Sequence, residues 1–318
     1  MQEPLIEVKN LKKFFEARGG VNHAVDGVSF TINKGETIGV VGESGCGKST
    51  LGRTIIRLQE ATDGQVLLHG KDITHVQGKE LKSVREKMQI IFQDPFSSLN
   101  PRMPISSAIT EPMRYARKMK KAQMLEESER LMDLVGIEER LRGAYPNELD
   151  GGRRQRVGIA RALALNPEFI VCDEPVSALD VSIQAQVLNL LMDLQEQMDI
   201  AYLFVTHDLS VVRLISKSIC VMYLGQLVEK CNTKELFENQ LHPYTKALLS
   251  AVPSTDLDHP MKRIVLHGEI TSPINPKPGC RFYARCPYAK EECMQEQKLI
   301  EVSPNHFVSC CRCKEINS

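Results

Sequence analysis

One eight-residue stretch combines glycines with a lysine and a serine, a combination suited to holding phosphate. It runs Gly42, Glu43, Ser44, Gly45, Cys46, Gly47, Lys48, Ser49 and fits the pattern G-x-x-x-x-G-K-S. Glycines let the backbone turn its N–H groups toward phosphate oxygens, and a helix that follows adds the positive end of its dipole. Lys48 would bring a charge to the outer phosphates, and the Ser49 hydroxyl could ligate Mg²⁺. A chance match in a glycine-rich turn is disfavoured, because an apolar strand precedes the stretch and a helical pattern follows it.

Two further polar groups stand at the ends of apolar runs. Asp173 and Glu174 follow the apolar run 169–172, and His207 closely follows the run 201–205. Asp173 is placed to hold Mg²⁺, Glu174 to polarise an attacking water as a general base, and His207 to reach the γ-phosphate. Alone, the pair would be an ordinary surface acidic pair and the histidine a structural one. Beside a phosphate loop they predict nucleotide hydrolysis.

The elements that must position these residues form an alternating pattern of strands and helices. Apolar, β-branched runs predict strands at 5–8, 28–32, 37–41, 65–68, 88–92, 169–172 and 201–205, and a final pair of strands at 219–229. Helices are predicted at 49–58, 116–134, 154–165 and 183–198. Prolines and a charged stretch between about 94 and 150 indicate a helical insertion. The pattern weakens past residue 231, where prolines recur.

Bulk composition gives little sign of a partner. Lysine plus arginine and aspartate plus glutamate each number 40, so the net charge is zero and favours neither nucleic acid nor a polybasic membrane anchor. The first ten residues include Glu3 and Glu7 and have no long apolar core, so no signal peptide is predicted. No apolar run approaches the ~18 residues of a spanning helix. We expect a cytosolic chain that reaches a membrane only by docking on other chains.

The order of these motifs resembles the nucleotide-binding subunit of ABC transporters over roughly residues 5–229. The resemblance implies an α/β fold, a P-loop (RecA-like) ABC nucleotide-binding domain with an antiparallel β subdomain, and an ATPase that uses ATP and Mg²⁺. It places Phe15 against adenine, Thr50 beside Ser49 in the ATP site, and Gln93 near Mg²⁺ and the attacking water. It matches His207 to the switch histidine. The D-loop is matched by Ser177, Ala178, Leu179 and Asp180.

The resemblance also sets the domain limits. The nucleotide-binding domain is expected at 1–231, with its helical subdomain at about 94–150. A cysteine-bearing C-terminal extension is expected at 232–318.

The signature segment departs from the family pattern Leu-Ser-Gly-Gly-Gln. It reads Leu149, Asp150, Gly151, Gly152, Arg153. In the family dimer this segment closes over the γ-phosphate held by the opposite subunit. The negative carboxylate of Asp150 would therefore face the negative phosphate. At ~4 Å and an effective dielectric near 20, the repulsion is about 4 kcal/mol per unit charge pair. Either this is tolerated drift, or the chain is half of a heterodimer with a homologous subunit, in which Lys48 and Glu174 form the competent site.

Longer stretches resemble the oligopeptide and dipeptide importer subfamily. They are Gln93–Arg102, Asp173–Gln186 and His242–Pro253. The resemblance implies peptide import with two transmembrane permease subunits and an extracytoplasmic substrate-binding protein, at the cytoplasmic face of the cell membrane, without nucleic acid. Nickel or metallophore importers share these features. A soluble ABC ATPase acting on ribosomes or DNA is disfavoured, because the chain has one nucleotide domain and no long coiled-coil insertion.

Six of the ten cysteines lie between residues 280 and 313. Cys280, Cys286, Cys293 and Cys310 are spaced C-x5-C-x6-C-x16-C, unlike the C-x2-C pairs of zinc fingers. Four thiolates can hold zinc or a [4Fe–4S] cluster, and free thiols are the remaining possibility. Related peptide-importer subunits are associated with a [4Fe–4S] cluster, so iron is expected here, with Cys311 as an alternative to Cys310. A metal would close a weakly patterned extension.

Overall fold

The computed structural model describes residues 3–116, 119–252, 263–268 and 272–317. The strands are β1 (Ile6–Ala17), β2 (Gly20–Ile32), β3 (Thr37–Val41), β4 (Asp63–Leu68), β5 (Lys71–Asp72), β6 (Met88–Ile91), β7 (Phe169–Asp173), β8 (Ala201–Val205), β9 (Ser218–Tyr223), β10 (Gln226–Asn232), β11 (Ile300–Ser303) and β12 (His306–Val308). The helices are α1 (Lys48–Ile55), α2 (Gly78–Lys87), α3 (Pro95–Ser98), α4 (Ile105–Ala116), α5 (Lys121–Leu134), α6 (Gly151–Leu163), α7 (Val181–Met198), α8 (Leu209–Ile215), α9 (Thr233–Glu238), α10 (Pro243–Ser250) and α11 (Cys313–Ile316). Short 3-10 turns lie at Glu139–Leu141, Pro146–Glu148, Tyr283–Arg285 and Glu291–Met294.

The described residues fall into two compact units. Unit 1 draws on Met1–Leu5, Asn33–Glu36 and His75–Phe204, and unit 2 on Ile6–Ile32, Thr37–Thr74 and Val205–Ser318. Within the described ranges, no helix combines the length and the apolar character needed to cross a bilayer.

Unit 2 contains an antiparallel sheet in the order β2-β1-β4-β5 and the strand sequence β11-β12-β10-β9-β3. β1 and β2 form a hairpin whose register runs from Ile6 opposite Ile32 to Ala17 opposite Gly20. β3 pairs in parallel with β9, and every residue of both strands is buried. A parallel strand buried on both faces reads as a continuous apolar run, which is the pattern seen in 37–41.

Unit 1 contains the strands β8, β7 and β6 and the helices α2 to α7. β6 and β7 pair in parallel, from Met88 opposite Phe169 to Ile91 opposite Cys172. α4, α5 and α6 pack on one another, and α6 also packs on α7. Of these helices, α4 and α5 lie within the range 94–150 given for the helical insertion, and the mixed α/β fold with its antiparallel sheet is confirmed.

The structure differs from the prediction in the extent of some elements and in their number, and β1 and β2 run well beyond the predicted strands at 5–8 and 28–32. The helix predicted at 116–134 begins at Lys121 instead, after α4 has ended at Ala116; Arg117 and Lys118 lie outside the described residues. The extension contains a hairpin, β11 and β12, that the sequence did not indicate. β12 pairs with β10 through only two residue pairs, Glu229 opposite Val308 and Lys230 opposite Phe307. So short a strand has too little alternation to be predicted.

Candidate functional site

The phosphate loop connects the buried strand β3 to helix α1 in unit 2. Gly47 immediately precedes α1 with a φ of 104°. A Cβ at this position would lie 1.9 Å from the backbone oxygen of Ala24. Glycine is therefore required both by the left-handed backbone and by the close approach of the backbone of β2 at Ala24. The glycine-rich loop between β3 and α1, which ends at the helix N-terminus, forms a cradle that fits a phosphate bound by backbone N–H groups.

Lys48 begins α1 and is 5% exposed. Its Nζ donates to the backbone oxygens of Gly42, at 2.8 Å, and Glu43, at 3.0 Å. These carbonyls hold the ammonium beside the loop, while Ser49 and Thr50 occupy the first turn of the helix. Burial raises the pKa of the neighbouring Cys46 thiol, although the charge of Lys48 opposes the shift.

Two further predicted residues belong to the same unit. Phe15 is half-buried on β1, and the Nζ of Lys13 lies 4.8 Å from its ring centroid. His207 is exposed between β8 and α8. The side chain of Asp208, which follows it, caps α8 by accepting from the Ser210 N–H at 2.8 Å. A capped helix fixes the backbone next to the histidine.

The carboxylates and the glutamine come together in unit 1. Asp173 ends β7 and is 1% exposed, and Glu174 follows it. Glu174 has a φ of 49°, a left-handed conformation that costs a non-glycine residue energy and is frequent at functional sites. Gln93, two residues past β6, donates from Nε2 to Glu174 Oε2 at 3.0 Å. The parallel register of β6 and β7 brings these two side chains to one sheet edge.

The signature segment and the D-loop are neighbours in unit 1. A Cβ on Gly151 would lie 3.3 Å from Leu179 Cδ2. Gln184 Nε2 donates to the backbone oxygens of Val176 and Leu179, at 3.0 Å in each case. Ser177 Oγ donates to the backbone oxygen of Glu174 at 3.1 Å. The D-loop is thus held against the carboxylate strand, with Ala178 inside it and Asp180 at the start of α7.

Asp150 has a local role that the sequence reasoning missed. Its Oδ1 accepts from the Arg153 N–H at 2.7 Å and so caps α6. Its Oδ2 accepts from Arg153 Nη1 at 3.1 Å, and Arg153 Nη2 lies 3.3 Å from Glu138. Aspartate immediately before a helix is itself a capping signal. The cap and the ion pair both offset the negative charge at this position, while Leu149 beside it is buried.

Contacts on the phosphate loop also come from the C-terminal extension. The Glu43 N–H donates to the Tyr244 hydroxyl at 2.9 Å, 201 positions along the chain. Arg285 Nη1 donates to the Glu43 carboxylate at 2.8 and 3.1 Å, 242 positions along. No spacing pattern reports contacts over such separations, so sequence reasoning missed both residues.

The predicted [4Fe–4S] cluster is wrong; its four proposed ligands were Cys280, Cys286, Cys293 and Cys310. Among the described residues, these side chains do not place three ligand atoms within 4.8 Å of one another. Burial raises the pKa of Cys280 to about 11 and that of Cys310 to about 12. Zinc on the same sulfurs meets the same geometric objection.

The grouping that does meet this distance is Glu229, Cys231 and His306, all buried in unit 2. The Glu229 carboxylate lies 2.7 Å from His306 Nε2 and accepts from the N–H groups of Leu241 and His242 at 2.8 and 2.9 Å. Three hydrogen-bond partners satisfy the buried carboxylate. The group ties β10, β12 and the start of α10 together.

Comparison with known proteins gives the family. Residues 25–177 match the family model described as ABC transporter, and residues 228–293 match Oligopeptide/dipeptide transporter, C-terminal region. The oligopeptide transport ATP-binding protein AppF of Bacillus subtilis (strain 168) is 52% identical over 320 residues, which cover 97% of this chain and 97% of that protein. OppF of Salmonella typhimurium, another oligopeptide transport ATP-binding protein, is 50% identical over 318 residues, or 96% of this chain and 95% of that protein.

Solved structures agree with this. The dimeric ATP-binding cassette MJ0796, in a post-hydrolysis state bound to ADP and Pi, is 29% identical with a TM-score of 0.66, over 72% of this chain and 98% of that chain. CbiO1 from Clostridium perfringens, part of an ABC transporter complex, is 26% identical with a TM-score of 0.67. The match covers 75% of this chain and 92% of CbiO1. The chain therefore belongs to the ATP-binding subunits of ABC transporters, which couple ATP hydrolysis to transport.

Proposed function

We propose that this chain hydrolyses ATP to drive the import of peptides. The observation that carries the proposal is the hydrogen bond between Gln93 and Glu174 at the end of paired strands, in a chain that also has a glycine cradle and Lys48 for phosphate. The cargo assignment is supported by the match of residues 228–293 to the C-terminal region of oligopeptide and dipeptide transporters. The curated relatives, which align over nearly their whole length, are oligopeptide transport proteins.

Each residue has a proposed role. The loop from Gly42 to Gly47 and the ammonium of Lys48 bind the phosphates, with Phe15 against the base. Glu174 accepts a proton from the attacking water, and its hydrogen bond to Gln93 orients the carboxylate. His207 contacts the γ-phosphate. Mg²⁺, held by Ser49, Gln93 and Asp173, would supply positive charge to the phosphates.

We further propose that the active motor is a heterodimer with a second, homologous ATP-binding subunit. The intact residues Lys48 and Glu174 belong to the competent site, and Asp150 faces the nucleotide bound by the other subunit. The contacts of Asp150 with Arg153 favour a weakened second site over an abolished one. As an ABC ATP-binding subunit the chain works with membrane permease subunits. Two of them, and an extracytoplasmic substrate-binding protein, complete the proposed importer, with this chain on the cytoplasmic face.

Peptide uptake tests the cargo. The chain would be co-expressed with two candidate permeases, a second ATP-binding subunit and a binding protein from the same organism, and the assembly would be reconstituted in vesicles with ATP inside. We expect ATP-dependent accumulation of a labelled oligopeptide and none with Glu174→Gln in the same assembly. Accumulation of Ni²⁺ in place of peptide would contradict the cargo assignment while leaving the ATPase assignment intact.

A further inference from the structure

One ion pair joins the C-terminal extension to the phosphate loop. Arg285 Nη1 lies 2.8 Å from Glu43 Oε2 and 3.1 Å from Oε1, and it also donates to the Tyr223 hydroxyl at 3.3 Å. The side chains of Arg285 and Glu43 are 10% and 26% exposed. Charges this sheltered from water are screened less than a surface pair.

Glu43 is held through its main chain as well. Its N–H donates to the Tyr244 hydroxyl at 2.9 Å, and its carbonyl accepts from Lys48 Nζ at 3.0 Å. Tyr223, Tyr244 and Phe282 pack as an aromatic cluster, with ring centroids 4.7 to 5.5 Å apart. The N–H, the carbonyl and the carboxylate of one loop residue are therefore all engaged, two of them by residues distant in sequence.

The segment that carries Arg285 is anchored independently of the loop. The Asn275 side chain accepts from the Val21 N–H at 2.9 Å and donates to the Gly19 oxygen at 3.0 Å. The Pro273 oxygen accepts from the His23 N–H at 3.0 Å. These contacts attach the start of this segment to the β1–β2 hairpin without using the phosphate loop.

The charge of Glu43 needs this partner. A carboxylate in a loop that must receive a polyphosphate repels the ligand unless a cation offsets it. We propose that Arg285 is a positioning residue for ATP binding, which neutralises Glu43 and holds the phosphate loop in shape, so that the extension controls nucleotide affinity. The inference rests on the ATP site proposed above and adds to it a residue outside the loop and strand motifs.

Binding of a fluorescent ATP analogue with Mg²⁺ to the purified full chain tests this. We expect Arg285→Gln to raise the Kd about tenfold at low salt, because an unpaired carboxylate then remains in the loop. The difference in Kd between Arg285→Gln and the native chain should become smaller at about 1 M salt, where the Debye length falls to ~3 Å. Arg285→Lys, which keeps the charge, should recover much of the affinity. The double variant Arg285→Gln with Glu43→Gln should recover most of it too, since no unpaired charge is left.

The matched control is Arg312→Gln. Arg312 is an arginine of the same extension, 12% exposed, that pairs with Glu292 and Glu315 instead of the loop. We expect it to leave the Kd unchanged. The inference is overturned if Arg285→Gln binds as tightly as the native chain, if Arg312→Gln is weakened equally, or if the double variant is no better than Arg285→Gln. A native chain that fails to bind the analogue would refute the proposed function instead.

Discussion

Replacing Asp150 separates two effects that this residue combines, stability and charge. In Asp150→Ala, the helix α6 loses the acceptor that lies 2.7 Å from the Arg153 N–H. Loss of such a cap costs about 1 kcal/mol. The ion pair with Arg153, whose partners are 56% and 45% exposed, adds at most ~0.5 kcal/mol. We therefore expect Asp150→Ala to lower the free energy of unfolding by about 1–2 kcal/mol.

Asp150→Asn keeps the cap and removes the charge. Asparagine caps helices about as well as aspartate, so the unfolding free energy should fall by less than about 0.5 kcal/mol. In the assembled heterodimer the second site should gain ATP affinity. The full repulsion of about 4 kcal/mol is an upper bound. Because Arg153 already offsets part of the charge and the site is half-exposed, we expect about 1 kcal/mol, or about fivefold in affinity.

Urea unfolding of the isolated chain and nucleotide binding to the heterodimer measure the two effects separately. Asp193→Asn, which removes one exposed charge elsewhere in unit 1, is the control and should change neither quantity. An Asp150→Ala chain that unfolds at the same urea concentration as the native chain would refute the capping argument. Unchanged affinity in Asp150→Asn would refute the idea that charge weakens the second site.

Three more perturbations have expected outcomes. Glu174→Gln should lower phosphate release by about 10²–10⁴-fold while a fluorescent ATP analogue still binds; near-normal turnover would remove Glu174 from its role. Gly47→Ala would place a methyl group 1.9 Å from the Ala24 oxygen at a φ of 104°, so loss of ATP binding and a lower melting temperature are expected. Burial lowers the pKa of His242 from 6.5 to about 4, so the folded chain disfavours that proton and should lose up to about 3 kcal/mol of stability as the pH falls from 6.5 to 4. His242→Asn, which can still cap the Tyr244 N–H, should flatten urea midpoints over that range.

Local patterns were enough to predict the strand and helix on either side of Gly42 to Ser49 and the buried strand that ends at Asp173. The spacing of Gly42 to Ser49 carries its own strand and helix context, and β7 is apolar at each residue before Asp173. The contact between Gln93 and Glu174 follows from parallel strands ending at the same sheet edge. The left-handed backbone of Glu174 was not predictable, because glutamate has no preference for that conformation and the turn after β7 imposes it.

Other features depend on contacts that spacing does not encode. The sequence showed Asp150 only as a missing serine, whereas its cap on α6 becomes visible once the helix start is known. The pairing of Arg285 with Glu43 needs the whole extension to be folded. In both cases the role of the residue is set by its hydrogen-bond partner, which is the Arg153 N–H for Asp150 and the Glu43 carboxylate for Arg285.

The failed cluster prediction shows how the extension is held instead. Spacing counts potential ligands but does not determine where their sulfurs lie, and the sulfurs of Cys280 and Cys310 do not belong to the grouping, among the described residues, whose ligand atoms lie within 4.8 Å of one another. A metal was expected to supply folding energy to a weakly patterned segment. Buried hydrogen bonds stabilise the extension instead. The Glu229 carboxylate on β10 contacts His306 on β12 and accepts from the backbone N–H groups of Leu241 and His242 before α10. Removing the His306 imidazole takes away one of the three hydrogen-bond partners of the Glu229 carboxylate, and the loss of a buried partner costs about 1–3 kcal/mol, which urea unfolding would measure. His306→Ala should therefore loosen the extension, and with it the arginine that holds the phosphate loop.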